Sequence, residues 1–295
     1  ILIGDYINYV VRRYRKKPEG DTPFVTKEEL MADMEQLIAL SPAQIAKRLE
    51  IPAENESMIL PALVVYRKLL KDTPAELIWA PGLNLSDGLA YDYAEQHKII
   101  RGSHNFENDI LVASANIAKR YSSGKNHIAG TTDLALDIFD STKKIHGMGK
   151  RERLLLQIAV LLHDCGKYIS MSDVAECSYR IIMATEIIGL STEERQVIAS
   201  AVRYNTREFG CYEEINRETS MNRENYLLTA KLTAILRLAN AMDRSHCQKV
   251  KGIKTVLKDR ELQMVMDSTQ DISLELGLLK DKVAFFEEVF GIRLV

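Results

Sequence analysis

Apolar residues recur at intervals of three and four through most of the chain, the spacing that lines one face of a helix. Asp5 to Lys17 reads as a first helix with a basic end, followed by a loop from Pro18 to Pro23. Thr26 and Glu29 form a capping box ahead of the stripe Leu30, Met34, Leu37 and Ile38. Ser41-Pro42 sets an N-cap before a proline at the first helical position and opens a short helix through Leu49. Met58 to Leu70 carries another helical stripe. Ile1 to Gly4 and Glu76 to Ala80 read as strands, and Pro81-Gly82 as a turn.

Further on the periods lengthen. Helices are expected over Asn105 to Tyr121, Asn126 to Lys144, Lys150 to Leu162, Val174 to Ile187, Ser191 to Tyr204 and Tyr226 to Ala241. Ser191 and Glu194 form a second capping box. After Lys249 the pattern changes to alternation. Val250 to Val256, Glu261 to Met266 and Ile272 to Leu276 read as strands, with turns at Lys258-Asp259 and Asp267-Ser268. A helix over Lys280 to Phe290 and a terminal apolar strand close the chain. The fold class is therefore mainly α, in three parts: mixed α/β over residues 1–98, all-helical over 99–248, and a small α/β module over 249–295.

The Lys150 to Leu162 helix ends in the most informative stretch. Eight of the nine residues Leu154 to Leu162 are apolar, and His163-Asp164-Cys165-Gly166-Lys167 follows at once. A helix apolar all round is a buried helix, so an imidazole and a carboxylate arrive together at the edge of a core. Such groups are seldom buried there unless paired or bound to a metal. Taken alone, the pair reads first as a capped helix end, with Asp164 solvated and His163 hydrogen-bonded in the core. Two other positions extend it: His127 opens one helix and Asp243 ends another. Two imidazoles and two carboxylates can hold a divalent ion of the Mn²⁺, Fe²⁺ or Zn²⁺ type with positions left for water. His97, His104, His146 and His246 are expected to stand apart, without partners at metal-ligand spacing.

Composition narrows the setting. A net charge of −2 argues against broad nucleic-acid binding or attraction to anionic membranes, while leaving room for a local basic pocket. The apolar runs are too short for a membrane span. Cys165, Cys177, Cys211 and Cys247 form no CxxC pair and read as reduced thiols of a cytoplasmic protein. Cys165 is expected to be a small buried apolar group and not a nucleophile. The chain opens without methionine and reads as part of a longer protein.

The order His, His-Asp, Asp in a helical domain resembles the HD-domain phosphohydrolases, with His127, His163, Asp164 and Asp243 on that family's metal positions. The flanks sharpen the likeness: Gly166-Lys167, Ser178-Tyr179 with Ile181-Ile182, Gly189-Leu190-Ser191 with Glu193-Glu194-Arg195, and Val202-Arg203-Tyr204. With Trp79-Ala80-Pro81-Gly82-Leu83 and Asp87-Gly88-Leu89 upstream, the chain resembles the later part of the exopolyphosphatase and guanosine pentaphosphatase (Ppx/GppA) family. That resemblance implies that 1–98 is the end of a second actin-like (ribonuclease H-like) domain, that 99–248 is an HD domain, and that 249–295 is the family's C-terminal module. It implies hydrolysis of phosphoanhydrides, with polyphosphate or a guanosine polyphosphate as substrate, and a homodimer. In the family, hydrolysis is assigned to the cleft between two actin-like domains, whose phosphate loops lie mostly upstream of this sequence. Ser86-Asp87 also replaces the usual arginine-glutamate at that edge.

Within the HD part, Glu176-Cys177 and Asn205 stand where many relatives carry further histidines, so one cation (Mn, Mg, Fe or Zn) is expected, not two. Asp164 and Lys167 are the candidate catalytic residues. Lys167, Arg203 and Arg207 are the candidate phosphate contacts. The competing expectation is a regulatory or dimerising module that binds metal or nucleotide without turnover.

Overall fold

The computed structural model describes residues 1–12, 14, 24–102, 104–258 and 260–295, and divides into two compact units, Ile1–Ser103 and His104–Val295. Most of the expected loop from Pro18 to Pro23, the far end of the first expected helix, and Asp259 of the expected Lys258-Asp259 turn lie outside the described residues.

In the first unit the helices are α1 (Asp5–Val11), α2 (Lys27–Ile38), α3 (Pro42–Leu49), α4 (Glu56–Asp72) and α5 (Leu85–Gln96). Strands β1 (Phe24–Thr26) and β2 (Leu77–Trp79) pair antiparallel, with Phe24 opposite Trp79. Both expected caps are made: Thr26 accepts from the Glu29 amide, and Ser41 from that of Gln44. Ile7, Val10, Leu30, Met34, Ile45, Ile59, Leu63 and Ile78 form the core. Ile1 to Gly4 is not a strand. Only Leu2 N–H reaches the Trp79 carbonyl, at 2.9 Å, before Gly4, at φ 145°, turns the chain into α1.

The second unit is a helical bundle. Its helices are α6 (Phe106–Arg120), α7 (Lys125–Ser141), α8 (Lys143–His146), α9 (Lys150–Leu162), α10 (Val174–Ala184), α11 (Thr192–Arg203), α12 (Tyr212–Thr219) and α13 (Arg223–Met242). The spacing of apolar residues foretells six of these; α8 and α12 are short and largely polar. Central packing falls to α9 and α13. Leu154–Leu156, Ile158–Val160 and Leu162 of α9 are all buried, as are Leu232–Ala239 of α13. Ion pairing joins α9 to α11: Arg151 donates to both oxygens of Glu194, at 2.6 and 2.7 Å.

Glu194 is held below the usual carboxylate range chiefly by its hydrogen bond to Arg151. A carboxyl depressed in the fold adds stability above its unfolded pKa and loses it as pH falls through the folded value. Glu194→Gln is therefore expected to lower the neutral plateau of a stability-against-pH curve and so to flatten the fall in stability as pH drops below the ordinary glutamate range. Denaturant midpoints at each pH check it, and parallel curves for the two proteins would refute it.

The last segment shares the bundle's core. Strands β3 (Gly252–Lys258) and β4 (Glu261–Asp267) pair antiparallel, and β5 (Arg293–Leu294) adds parallel to β4. Helix α14 runs over Ser273–Phe290, so the expected strand at Ile272 to Leu276 is a helical turn instead. Its alternation misleads because Glu275, Leu279, Phe286 and Phe290 are the buried positions, at helical spacing.

Candidate metal centre

Three helix ends converge in the second unit. His127 sits in the first turn of α7, His163 caps the C-terminus of α9 with Asp164 beside it, and Asp243 caps α13. All four side chains expected as ligands are buried, with Asp164 the most exposed at 8%. His127 Nε2 lies 3.1 Å from His163 Nε2 and 3.9 Å from Asp164 Oδ2, and His163 Nε2 lies 3.5 Å from Asp164 Oδ1. Asp243 meets the group from the other side of His127, with Oδ2 2.7 Å from Nδ1.

An outer partner fixes which nitrogen of His163 carries the proton. His163 Nδ1 lies 2.7 Å from the Val160 carbonyl, which only accepts, so Nδ1 carries the proton and Nε2 the lone pair. His127 Nδ1 faces the Asp243 carboxylate at 2.7 Å and donates to it. Burial pushes the Asp243 carboxyl up, but hydrogen bonds from His127 and Gln248 outweigh it and hold the group below the usual range. His163 therefore turns an Nε2 lone pair toward His127 Nε2 at 3.1 Å, beside the Asp164 carboxylate. Burial keeps His163 from charging by pushing its pKa down. Metal–nitrogen bonds are about 2.0–2.1 Å, so two imidazoles on one ion sit roughly 3.0–3.4 Å apart. The donor set fits a divalent cation of N/O preference, and the carbonyl and carboxylate behind the rings are the usual outer partners of metal-ligating histidines.

Asp164 is kept ionised. Burial alone would raise its pKa, but His163, Lys167 and His127 together hold it below the ordinary carboxylate value. Lys167 donates directly to Asp164 Oδ2.

His246 corrects the expectation that it stands apart. Its ring stacks on His127 with centroids 3.7 Å apart and planes 17° apart. One nitrogen of each ring and an oxygen of Asp164 all lie within 4.8 Å of one another, a spacing that could hold a metal ion. The loop that brings it there, Arg244 to Lys249, has no periodicity to betray it. The other three histidines lie elsewhere. His97 bonds its own helix, at 2.9 Å from the Tyr93 carbonyl, and His104 pairs with Asp109. His146 is a satisfied core residue between the Phe139 carbonyl and the Met148 amide.

Ser178 is a second residue that spacing alone does not single out. Its buried hydroxyl donates to the His163 carbonyl at 3.1 Å and accepts from Gly166 N–H at 2.8 Å, locking the turn after the His-Asp pair onto α10. Cys165 lies under this turn, fully buried, and burial pushes its thiol up to about 11. At pH 8 it stays protonated, so iodoacetamide is expected to label the exposed Cys211 and Cys247 and spare Cys165. Peptide mass mapping reads this, and carboxymethylation of Cys165 in the folded protein would refute it.

A cavity of about 520 Å³ opens beside the cluster, walled by His163, Asp164, Lys167, Arg207, Arg244 and His246 among others. The expected phosphate contacts are spread unevenly around it. Arg207 reaches its wall but is tied to Asp173 at 2.7 Å and Glu176 at 3.2 Å. Arg203 is not on the wall; it pairs with Glu176 and Glu218 and lies over the Tyr179 ring. Arg244 is exposed on the wall, and no ion pair ties it among the described residues.

Residues 112–283, more than half of the sequence and the part that contains this whole cluster, match the Ppx/GppA phosphatase, domain III. The chain belongs to the Ppx/GppA phosphatase family. No curated protein matches it. In this Ppx/GppA chain the match runs from α6 into α14, so it takes in the β3–β4 hairpin as well as the bundle. Among the described residues, no helix is long and apolar enough to cross a membrane.

Proposed function

We propose that the second unit is the metal-dependent phosphohydrolase region of a Ppx/GppA protein, acting on a phosphoanhydride such as polyphosphate or a guanosine polyphosphate. One observation carries the reading: His163 turns its Nε2 lone pair toward His127 Nε2 and the Asp164 carboxylate, so that two imidazoles and a carboxylate meet at one buried point. His127, His163 and Asp164 would hold one divalent ion, with His246 as a further donor. Asp243 fixes the His127 tautomer. Such an ion, when bound, activates water and withdraws charge from a phosphoryl oxygen.

The chain's own residues supply the rest. Asp164 stays ionised because His163, Lys167 and His127 overcome its desolvation, so it is ready to coordinate at neutral pH. Lys167, a third exposed, can balance charge that develops on a phosphate in the cavity. Arg244 on the same wall can make the bidentate contact that Arg203 and Arg207, engaged with carboxylates, are not placed to offer. Buried walls on the side of α9 and α13 keep water from the far side of the ligands.

A second reading, a module that binds metal without turnover, draws on the same engaged cations. Lys167, Arg203 and Arg207 each already neutralise a carboxylate of the fold. Metal analysis of the gently purified chain, followed by phosphate release from polyphosphate and from guanosine polyphosphates with added Mn²⁺ or Zn²⁺, separates the two. The first reading expects metal-dependent release that disappears in His163→Ala and Asp164→Ala. Bound metal with no release supports the module. Equal release in wild type and both variants excludes this site as the catalyst.

A further inference from the structure

His246 reaches the cluster on a loop whose backbone does not favour the position by itself. His246 and Gln248 both adopt left-handed conformations, at φ 57° and 48°, which residues with a Cβ rarely take. Something must over-determine such a loop for it to persist. One end is explained by the site: the Asp243 carboxylate accepts from the Gln248 amide at 2.7 Å and from its side chain at 3.0 Å.

The loop is also held from α14. Glu275, in the first turn of that helix, is only 1% exposed, an unusual place for a carboxylate without an arginine or a metal. It faces the loop. Lys249 Nζ lies 3.4 Å from Oε2, and the buried Ser245 hydroxyl lies against the carboxylate, stabilising its charge although the contact falls short of full hydrogen-bond geometry. Ser245 and Lys249 bracket the two left-handed residues. The Glu275 helix is itself fixed by Leu279, Phe286 and Phe290 in the bundle's core.

We propose that Glu275 is a positioning residue for His246: it clamps both ends of the Ser245–Lys249 loop and so delivers the His246 ring onto His127. The role makes the C-terminal helix part of the candidate metal centre, although it contributes no atom to it. It rests on the metal reading above for its consequence, but not for its geometry.

The test is a double-mutant cycle on the full chain, read by calorimetric Zn²⁺ titration and by amide hydrogen exchange of residues 244–249. Glu275→Ala is expected to weaken Zn²⁺ binding about tenfold when His246 is present, the lower end of what outer partners of metal ligands contribute. It is expected to leave the affinity of His246→Ala unchanged, because the clamp then has nothing to position. Exchange of the loop amides should speed at least tenfold while α13 stays protected. Equal weakening in both backgrounds would mean a general structural role and overturn the proposal, as would wild-type exchange in Glu275→Ala. If Glu275→Ala does not fold, Glu275→Gln and Ser245→Ala carry the same comparison, with smaller losses in the same direction. If the wild type binds no Zn²⁺, the metal reading falls, and the exchange data alone decide the clamp.

Discussion

Gly166→Ala is expected to lower the melting temperature by roughly 10 °C and to loosen the turn that carries Asp164 and Lys167. A Cβ at this position would lie 2.2 Å from the Val174 carbonyl oxygen, 2.5 Å from Ser178 N and 2.7 Å from Ser178 Oγ. Two of these atoms are backbone of α10, so no side-chain rotation relieves the clash. The turn must lift away from α10 instead. That movement costs about 1–3 kcal/mol in misfit packing. It also strains the hydrogen bonds by which Ser178 joins Gly166 to His163, worth about 1 kcal/mol each. A total near 3–4 kcal/mol corresponds to roughly 10 °C for a unit of this size. Circular dichroism melts measure it, and a melting point within about 2 °C of wild type would show that the turn has slack the packing does not suggest. The glycine after His-Asp thus serves close approach, not a positive φ, since Gly166 is absent from the left-handed positions of the backbone.

Loss of the metal response is the expected result for His163→Ala. With a divalent ion at about a hundred times its dissociation constant, wild type should gain roughly 2.7 kcal/mol of stability. Removing an outer partner of a metal ligand costs 10–100-fold in affinity, so removing a ligand should cost at least about 100-fold. At the same ion concentration the variant would then gain only about 0.4 kcal/mol. The apo fold should survive, because the lost contacts are one hydrogen bond to Val160 and packing at the end of a long buried helix. Asp243→Ala, which frees the His127 tautomer, should fall between the two. Paired melts with and without Zn²⁺ or Mn²⁺ give the answer. A wild-type-sized metal shift in His163→Ala would remove His163 from the site, and a collapse of the apo fold would make it a core histidine first.

Much of this arrangement was legible in the sequence, because the signals were local. Capping boxes at Thr26, Ser41 and Ser191 mark helix starts through side chains three residues apart. The apolar run before His163 announces a buried helix, and the structure does bring His127, His163, Asp164 and Asp243 to one place. What stayed hidden depends on distant contacts. His246 is aimed by a non-repetitive loop braced from another helix. Arg203 sits on the expected helix, but its direction is set by Glu176 and Glu218. At Ile272 to Leu276, five alternating residues look like a strand until the longer period through Leu279 and Phe286 is counted.

Separation along the chain bears on how the site is made. His127 and Asp243 touch, yet they stand 116 positions apart along the chain. During synthesis α7 and α9 leave the ribosome before α13, so His127, His163 and Asp164 can come together while the His127 tautomer is still free. Non-local pairs of this kind close late, after the local helices have formed. An ion captured early would be held by an incomplete and exchangeable set, and firm retention would begin only once α13 and the loop after it had docked. On the metal reading proposed above, the choice of ion would then follow what the cell offers at the end of folding, not at its start.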